Sequence, residues 1–467
     1  MNRIERNMRT KATTVDAYRL IHEGILALAR AERQGFRIDI EYCEKKRESL
    51  TRKIAHNQQR VEDTKLYRRW AHIYGTKTNI YSNHQLARIL YQVLKIEPPK
   101  MTEKGVEGAT DEESLAQIDM PELKLILQMR KLVKIRDTYL GAFIRESNDG
   151  WIHPVFHLHT VRSYRSSSSD PNFQNIPKRD AEAMEICRRA IYPRLGHMLV
   201  EMDFASLEVM ISACYHKDPT MLKYLRDKQS DMHADMAAQI FKMETIDRSL
   251  PSHYILRQAA KNGFVFPQFY GDYYGNNAVG IASWVELPQS RWKKGQGILL
   301  PDGSSISDHL MMNGLHSYNQ FVEHMKGVEE SFWGQRFTRY NQWRKAWVKK
   351  YRRLGYLEML TGFTFSGVMR KNEIINYPMQ GTAFHCLLYT FIELDKMMRD
   401  EGWDSRLVGQ IHDSILMDVH PEELPRVEQA IRMIVKEMLP AAWKWIIVPL
   451  DVEIERYEID QPWVKKG

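Results

Sequence analysis

Two apolar segments, HMLVEMDF at 197–204 and LVGQIHDSILMDV at 407–419, each carry a β-type pattern into an aspartate. The first reads as a strand that ends near Asp203 and enters a helix at about Ser206. The second reads as two short strands joined at His412–Asp413. A carboxylate at the end of an apolar strand is out of place unless it is paired or binds a metal. VPLDVEI, near the end of the chain, reads as a further strand. Helical halves flanking these strands place the chain in the α+β class, with an antiparallel sheet.

The rest is mostly helical in spacing. Residues 15–33 form one helix, GFRID is extended, and a polar, basic helix is expected over 41–74. The run KKRESLTRKIAHNQQR within it is either a solvated face or a phosphate-tracking one, and only its place in the fold decides. Thr110 with Glu113 matches a capping box opening a helix at DEESLAQI, and a long helix starts at Pro121. Residues 151–159 alternate like a strand, SYRSSSSDPNFQNIP reads as a loop, and 422–438 as a helix. Residues 272–318, rich in Gly, Ser and Asn with Pro288 and Pro301, read as an inserted, loop-rich subdomain.

A chain of 467 residues exceeds one hydrophobic core, so about two to four lobes are expected. Lys and Arg exceed Asp and Glu by 67 − 59 = 8, an excess that favours a polyanionic partner. Cys43, Cys187, Cys214 and Cys386 form no CxxC pair. Zinc and disulfide frameworks are therefore not expected, and reduced cytosolic thiols are. MNRIERNMRTKATT lacks the apolar stretch of a signal peptide, and no run of about 18 apolar residues occurs. A soluble, cytoplasmic protein with no membrane contact is expected.

Strand-borne aspartates suit phosphoryl transfer. That reaction needs little covalent chemistry from a protein; it needs two Mg²⁺ ions about 3.5–4 Å apart, held by carboxylates on rigid strands. An aspartate that merely caps the following helix or turn explains the same spacing, and spacing alone leaves both open.

The motifs decide between them. DFASLEVMISACYHKD resembles motif A of the family A DNA polymerases (the DNA polymerase I family), RQAAKNGFVFPQFYG resembles motif B, and QIHDSILMDV resembles motif C. SYRSSSSDPNFQNIP, DMHADMA and NYPMQGTAFH fall in the family's order, and the flanks AERQGFRIDI and VPLDVEI agree. The resemblance covers nearly the whole chain except 272–318. It implies a right-hand polymerase fold with an antiparallel-sheet palm and helical thumb and fingers. The expected division is 1–140 for the N-terminal segment and thumb, and 141–214 for the first part of the palm. Fingers then span 215–375, and 376–467 complete the palm.

Carried over residue by residue, the resemblance makes Asp203 and Asp413 metal ligands with the Phe204 carbonyl, for two Mg²⁺ that Mn²⁺ can replace. Glu208 becomes the gate against a ribose 2′-OH. Arg257, Lys261 and His233 meet the triphosphate of the incoming dNTP, and Lys261 also protonates the leaving pyrophosphate. Arg165, Asn376, Gln380 and His412 meet the minor groove of the primer–template DNA, where every correct pair offers acceptors.

The chain departs from the family in two places. Motif C reads His412-Asp413-Ser414, where the family has a third-position Glu, so altered metal affinity with retained activity is expected. Motif B carries one extra residue, which implies a π-bulge, with Pro267 adding a kink. That register puts Phe266 under the nucleotide and Tyr270 beside Glu208. No 3′–5′ exonuclease region is recognisable; Asp39-Ile40-Glu41 is a DxE, but Asp39 is assigned as a helix cap. A phage-like enzyme working with a separate exonuclease or other replication proteins is compatible with this. The rival functions are a single-subunit RNA polymerase, which the Glu208 gate opposes, and a non-catalytic DNA-binding relative, which retention of Asp203, Asp413, Arg257 and Lys261 opposes.

Overall fold

The computed structural model describes residues 12–464 except 100, 103, 104, 106, 179, 228 and 412. Helix α1 (Thr14–Gln34) opens on a capping box between Thr13 and Asp16 and buries Leu20, Ala27 and Ala31. GFRID becomes β1 (Phe36–Ile38). Asp39 then caps α2 (Ile40–Glu62), its carboxylate accepting from the Tyr42 amide at 2.8 Å. The single helix expected over 41–74 is two helices, because the Thr64 hydroxyl accepts from the Tyr67 amide and starts α3 (Lys65–Tyr74). A hydroxyl that satisfies a backbone amide locally competes with helix continuation. The next cap is Asp111 rather than Thr110: it accepts from the Ser114 amide and opens the short helix Glu112–Ala116. The side chain of Glu113 lies outside the described residues.

Helix α4 (Pro121–Val133) runs through a π segment, Lys134–Leu140, into Gly141–Glu146. Residues 151–159 are not one strand. β2 (Trp151–Ile152) pairs with β1, whereas β3 (Val155–His157) pairs with β4 (Ser167–Ser169), inside the stretch expected to be loop. Pro154 stands at the break and has no N–H for a ladder. β5 (Ile191–Tyr192) completes the sheet β2-β1-β5.

β6 (Met198–Phe204) leads into α5 (Leu207–His216). There follow α6 (Met232–Phe241), α7 (Pro251–Ala260), α8 (Tyr274–Trp284), α9 (Tyr318–Ser331) and α10 (Thr338–Leu354). Residues 272–318 are less loop-like than their composition suggests. They contain α8 and the helix Ile306–Met312, and Ala278, Ile281 and Ala282 of α8 are buried in the main hydrophobic cluster. A hairpin of β7 (Tyr356–Glu358) and β8 (Thr364–Ser366) precedes α11 (Lys371–Asp400).

β9 (Arg406–Ile411), β10 (Ser414–Val419) and β11 (Val452–Arg456) join β6 in an antiparallel sheet of order β11-β6-β10-β9. The alternation along β6 sorts two cores. Val200 and Met202 enter the large cluster with α5 and α11, and Leu199 enters the smaller one with Ile411 and Leu416. No helix among the described residues is long and apolar enough to cross a membrane.

Because Asp39 acts as a cap, Asp39→Ala is expected to cost about 1 kcal/mol. A thermal melt checks this, and a variant as stable as the parent would show that α2 starts without it.

Candidate active site

The register of the central sheet brings the two aspartates together. Ser414 of β10 lies opposite Asp203 of β6, and the Phe204 amide donates to the Asp413 carbonyl at 3.2 Å. Phe204 ends the strand with its side chain buried, so only its backbone could serve as a ligand. Ser414 is buried, and its hydroxyl donates back to the Ile411 carbonyl at 2.9 Å. Beyond Phe204 the chain turns sharply at Ser206, a left-handed residue with φ 52°. Such conformations collect where function constrains the backbone. The turn puts Glu208 in the first turn of α5, beside the aspartates.

The cluster is strongly negative, and cations have gathered on it. Lys178 reaches Asp203 at 2.5 Å; Arg165 lies 3.8 Å from Asp413 and 3.5 Å from Glu208. Burial, followed by the Glu208 and Asp203 carboxylates, raises the Asp413 pKa to about 6, against the lowering influence of Arg165 and Lys178. Lys178 was not foreseen as a site residue, although it follows directly on SYRSSSSDPNFQNIP.

Motif B approaches from the other side. The extra residue is absorbed in a π segment, Lys261–Val265, as its count implied. Phe264 and Val265 turn into the core at 0% exposure, leaving Phe266 partly exposed. The Lys261 ammonium stands 5.4 Å from the Phe266 ring centroid, and the His233 ring meets Phe266 edge-on at 5.6 Å. Burial and then Arg257 lower the Lys261 pKa. Burial, then Arg257 and Lys261, hold His233 near 4, so its imidazole is neutral at pH 7. Its Nδ1 is buried without a partner among the described residues. Arg257 is held at 2.7 Å by Asp231, whose carboxylate also caps α6 through the His233 and Ala234 amides. Burial opposes the Asp231 charge, but the Arg257 hydrogen bond and the capping amides outweigh it and lower its pKa. Asp231 is the first residue of DMHADMA, a motif recognised in sequence without a role for that position.

The Tyr270 hydroxyl donates to Glu208, joining motif B to motif A. Burial and the Glu208 charge hold that phenol well above its ordinary pKa. Asn376 of α11 donates to the Tyr270 carbonyl at 3.1 Å, and Asn372 sits against Gly271, where a Cβ would fall 2.3 Å from its Oδ1. Only glycine fits there, at φ +92°. Helix α11 continues through Pro378 because the carbonyl this leaves unpaired, that of Ile374, accepts from Trp347 Nε1 at 3.1 Å. Gly381 lets the Ser163 backbone close on α11, since a Cβ would lie 2.0 Å from the Ser163 carbonyl oxygen.

Arg165, Glu208, Phe266, Tyr270, Asn376, Gln380 and Asp413 line one open cleft of about 1800 Å³. Lys131, Lys134 and Lys178 line it too. Arg257, Lys261 and His233 are not on its wall; Lys261 and His233 contact it through Phe266, and Arg257 pairs with Asp231 behind them. His412 lies outside the described residues.

The donor set suits a hard divalent cation, being carboxylate and carbonyl oxygen around an Asp413 whose charge is destabilised by burial and then by the neighbouring carboxylates. Among the described residues no group of three or more His, Cys, Asp or Glu side chains converges on a metal position. Any ion here rests on the aspartates, backbone and substrate oxygens, the kind of ligation Mg²⁺ accepts.

The fold is polymerase-like. It superposes with a TM-score of 0.72 on a structure described as the POL domain of Pol1 from M. smegmatis in complex with DNA primer-template and dNTP, at 22% identity over 94% of this chain and 69% of that one. The model of DNA polymerase family A matches residues 44–460, and the chain belongs to that family. DNA polymerase I of Pseudomonas aeruginosa is 27% identical over 418 residues, and that of Aquifex aeolicus 28% over 442. These matches cover 87% and 94% of this chain but 40% and 66% of those proteins, so the chain spans about two fifths to two thirds of their length.

Gly381→Ala is expected to cost about 1–3 kcal/mol, because the overpacked Cβ must push the 163–165 segment outward. A lowered melting temperature is the expected result. An unchanged melting temperature would show that this approach is not tight.

Proposed function

We propose that this chain is a template-directed DNA polymerase that adds dNTPs to a primer 3′-OH. The observation that carries the reading is the meeting of Asp203 and Asp413 at the rim of an open, cation-lined cleft. In this reading the four-stranded sheet with most of α5 and of α11 forms the palm, within 141–214 and 376–467. Residues 215–375 form the fingers, and 1–140 the N-terminal segment and thumb. All four cysteines are buried and unpaired, which supports work in a reducing cytosol.

Asp203, Asp413 and the Phe204 carbonyl would hold two Mg²⁺. When bound, these ions stabilise the charge on the attacking and leaving oxygens of an in-line displacement. The chain's own residues then orient and select. Arg257 and Lys261 bind the triphosphate, with Arg257 held in position by Asp231. Lys261, whose pKa is already lowered, gives a proton to the departing pyrophosphate. Neutral His233 donates a hydrogen bond to a phosphate oxygen, and Phe266 packs under the sugar and base. Glu208, fixed by the Tyr270 hydroxyl, occupies the space of a 2′-OH. Arg165, Asn376, Gln380 and His412 test the minor groove by donating to acceptors common to all correct pairs.

Asp203→Asn and Asp413→Asn are each expected to abolish primer extension while primer–template affinity stays within a few-fold. Metal clamping acts in the transition state, whereas DNA affinity comes mainly from phosphate contacts. A variant keeping more than about a tenth of wild-type turnover, a change under ~1.4 kcal/mol, would refute the ligand assignment.

Glu208→Ala is expected to raise CTP use relative to dCTP opposite template G by about ten-fold, read as the ratio of kcat/KM values. An unchanged ratio would place sugar selection elsewhere, and a wild-type preference for CTP would favour the RNA polymerase alternative.

A further inference from the structure

We propose that the outer face of α10, continued by Tyr356, holds the unpaired template strand ahead of the cleft; this rests on the polymerase reading. The 17 residues of α10 include seven Lys or Arg and no Asp or Glu. Two of the seven are used internally. Arg339 donates to the His216 carbonyl, and the buried Arg344 guanidinium lies 3.3 Å from the Trp333 ring centroid. The other five, Lys345, Lys349, Lys350, Arg352 and Arg353, are exposed, and none forms an ion pair with a carboxylate among the described residues.

This arrangement works against the helix. Lys345 and Lys349 are four apart, as are Lys349 and Arg353, and like charges at that spacing repel. The helix dipole favours cations in the last turn, which accounts for Arg352 and Arg353 but not for Lys345. A face that only meets water mixes both signs. A row of one sign suits a polyanion.

Position and shape point to a single strand. Lys345, Lys349 and Arg352 follow one another along one side of α10, and Tyr356, 45% exposed, stands just past its end. Cations that track phosphates, beside an aromatic ring on which a base can stack, are the two components of single-strand binding. Duplex DNA keeps its bases stacked inside and has no use for the ring. The face is also joined to the cleft. Tyr351 of α10 donates to the Gly367 carbonyl at 2.8 Å, and Arg162, three residues before Arg165, donates to the adjoining Val368 carbonyl at 3.4 Å. Helix α11 starts just beyond, at Lys371, and carries Asn376 and Gln380, the residues of this helix that would read the newest pair.

The test compares two primer–templates of equal duplex length by fluorescence anisotropy. One carries a single unpaired template nucleotide; the other carries about a dozen, within the span of known single-strand sites. The wild-type chain is expected to bind the long form more tightly. Combined Lys345→Ala, Lys349→Ala and Arg352→Ala is expected to weaken the long form about ten-fold and to reduce its log–log salt slope by about 2, at about 0.7 per lost contact. The short form should be bound and extended as by wild type. Tyr356→Ala should weaken the long form with the salt slope kept. Equal weakening of both forms by the triple variant, or of neither, overturns the proposal, and unchanged affinity in Tyr356→Ala overturns the single-strand assignment. Absence of extension of the short form by the wild-type chain would sink the polymerase reading itself. Normal extension with no preference for the long form would sink this inference alone.

Discussion

The antiparallel pairing of β6 with β10 is the constraint on which the rest of the molecule depends. It sets Ser414 against Asp203 and, through the Phe204 amide, ties the backbone of the Asp413 turn to the end of β6. The register is held by burial on both faces. Val200 and Met202 fill the large core, while Leu199 fills the smaller one beside Leu416. A slip of one residue would exchange these faces and carry Asp203 into the core, where an unpaired carboxylate is costly. Even Glu201, on the same face as Asp203 and 4% exposed, stays buried only because Arg188, Tyr457 and Trp463 all bond it.

Around that pair the structure accumulates charge of one sign and then answers it. Asp203, Asp413 and Glu208 crowd together, burial and then this charge raise the Asp413 pKa, and Lys178 and Arg165 lie against them. Behind Phe266, off the cleft wall, the signs reverse. Arg257 and Lys261 lie within reach of each other, with Asp231 holding the first and burial weakening the charge of the second. A carboxylate pole facing a cationic pole suits a substrate with a polyanionic tail and a reacting end that needs metal ions. Between the poles stand the Tyr270 phenol, bonded to Glu208, and the Phe266 ring.

Much of this was legible in the chain itself. The strands at 197–204 and 407–419, the turn at Asp413 and the cap at Asp39 all follow from local pattern, and the structure contains them. The π segment was legible for a different reason. One residue too many between Lys261 and Tyr270 is a count, and a helix absorbs it only by widening a turn. Errors fell where two local choices compete at similar cost. Thr64 capping a new helix against continuation, Asp111 against Thr110 as a cap, and strand against break at Pro154 each turn on about 1 kcal/mol or less. Composition misled over 272–318, where Gly and Asn suggested loop but burial of Ala278 and Ile281 supports a helix. Tertiary burial outweighs propensity of that size.

The sequence by itself determined the family and most of the elements, and it named the candidate site residues, because periodicity, caps and motif spacing act between residues close along the chain. The tertiary structure alone decided which of those side chains meet. Glu208 and Tyr270 are 62 residues apart, and Ser166 and Gln410, which share a hydrogen bond near the cleft, are 244 apart. Lys178 on Asp203 and Asp231 on Arg257 carry no local mark of their roles. An ion pair depends on distance in space and on the dielectric around it, and neither exists until the chain has folded.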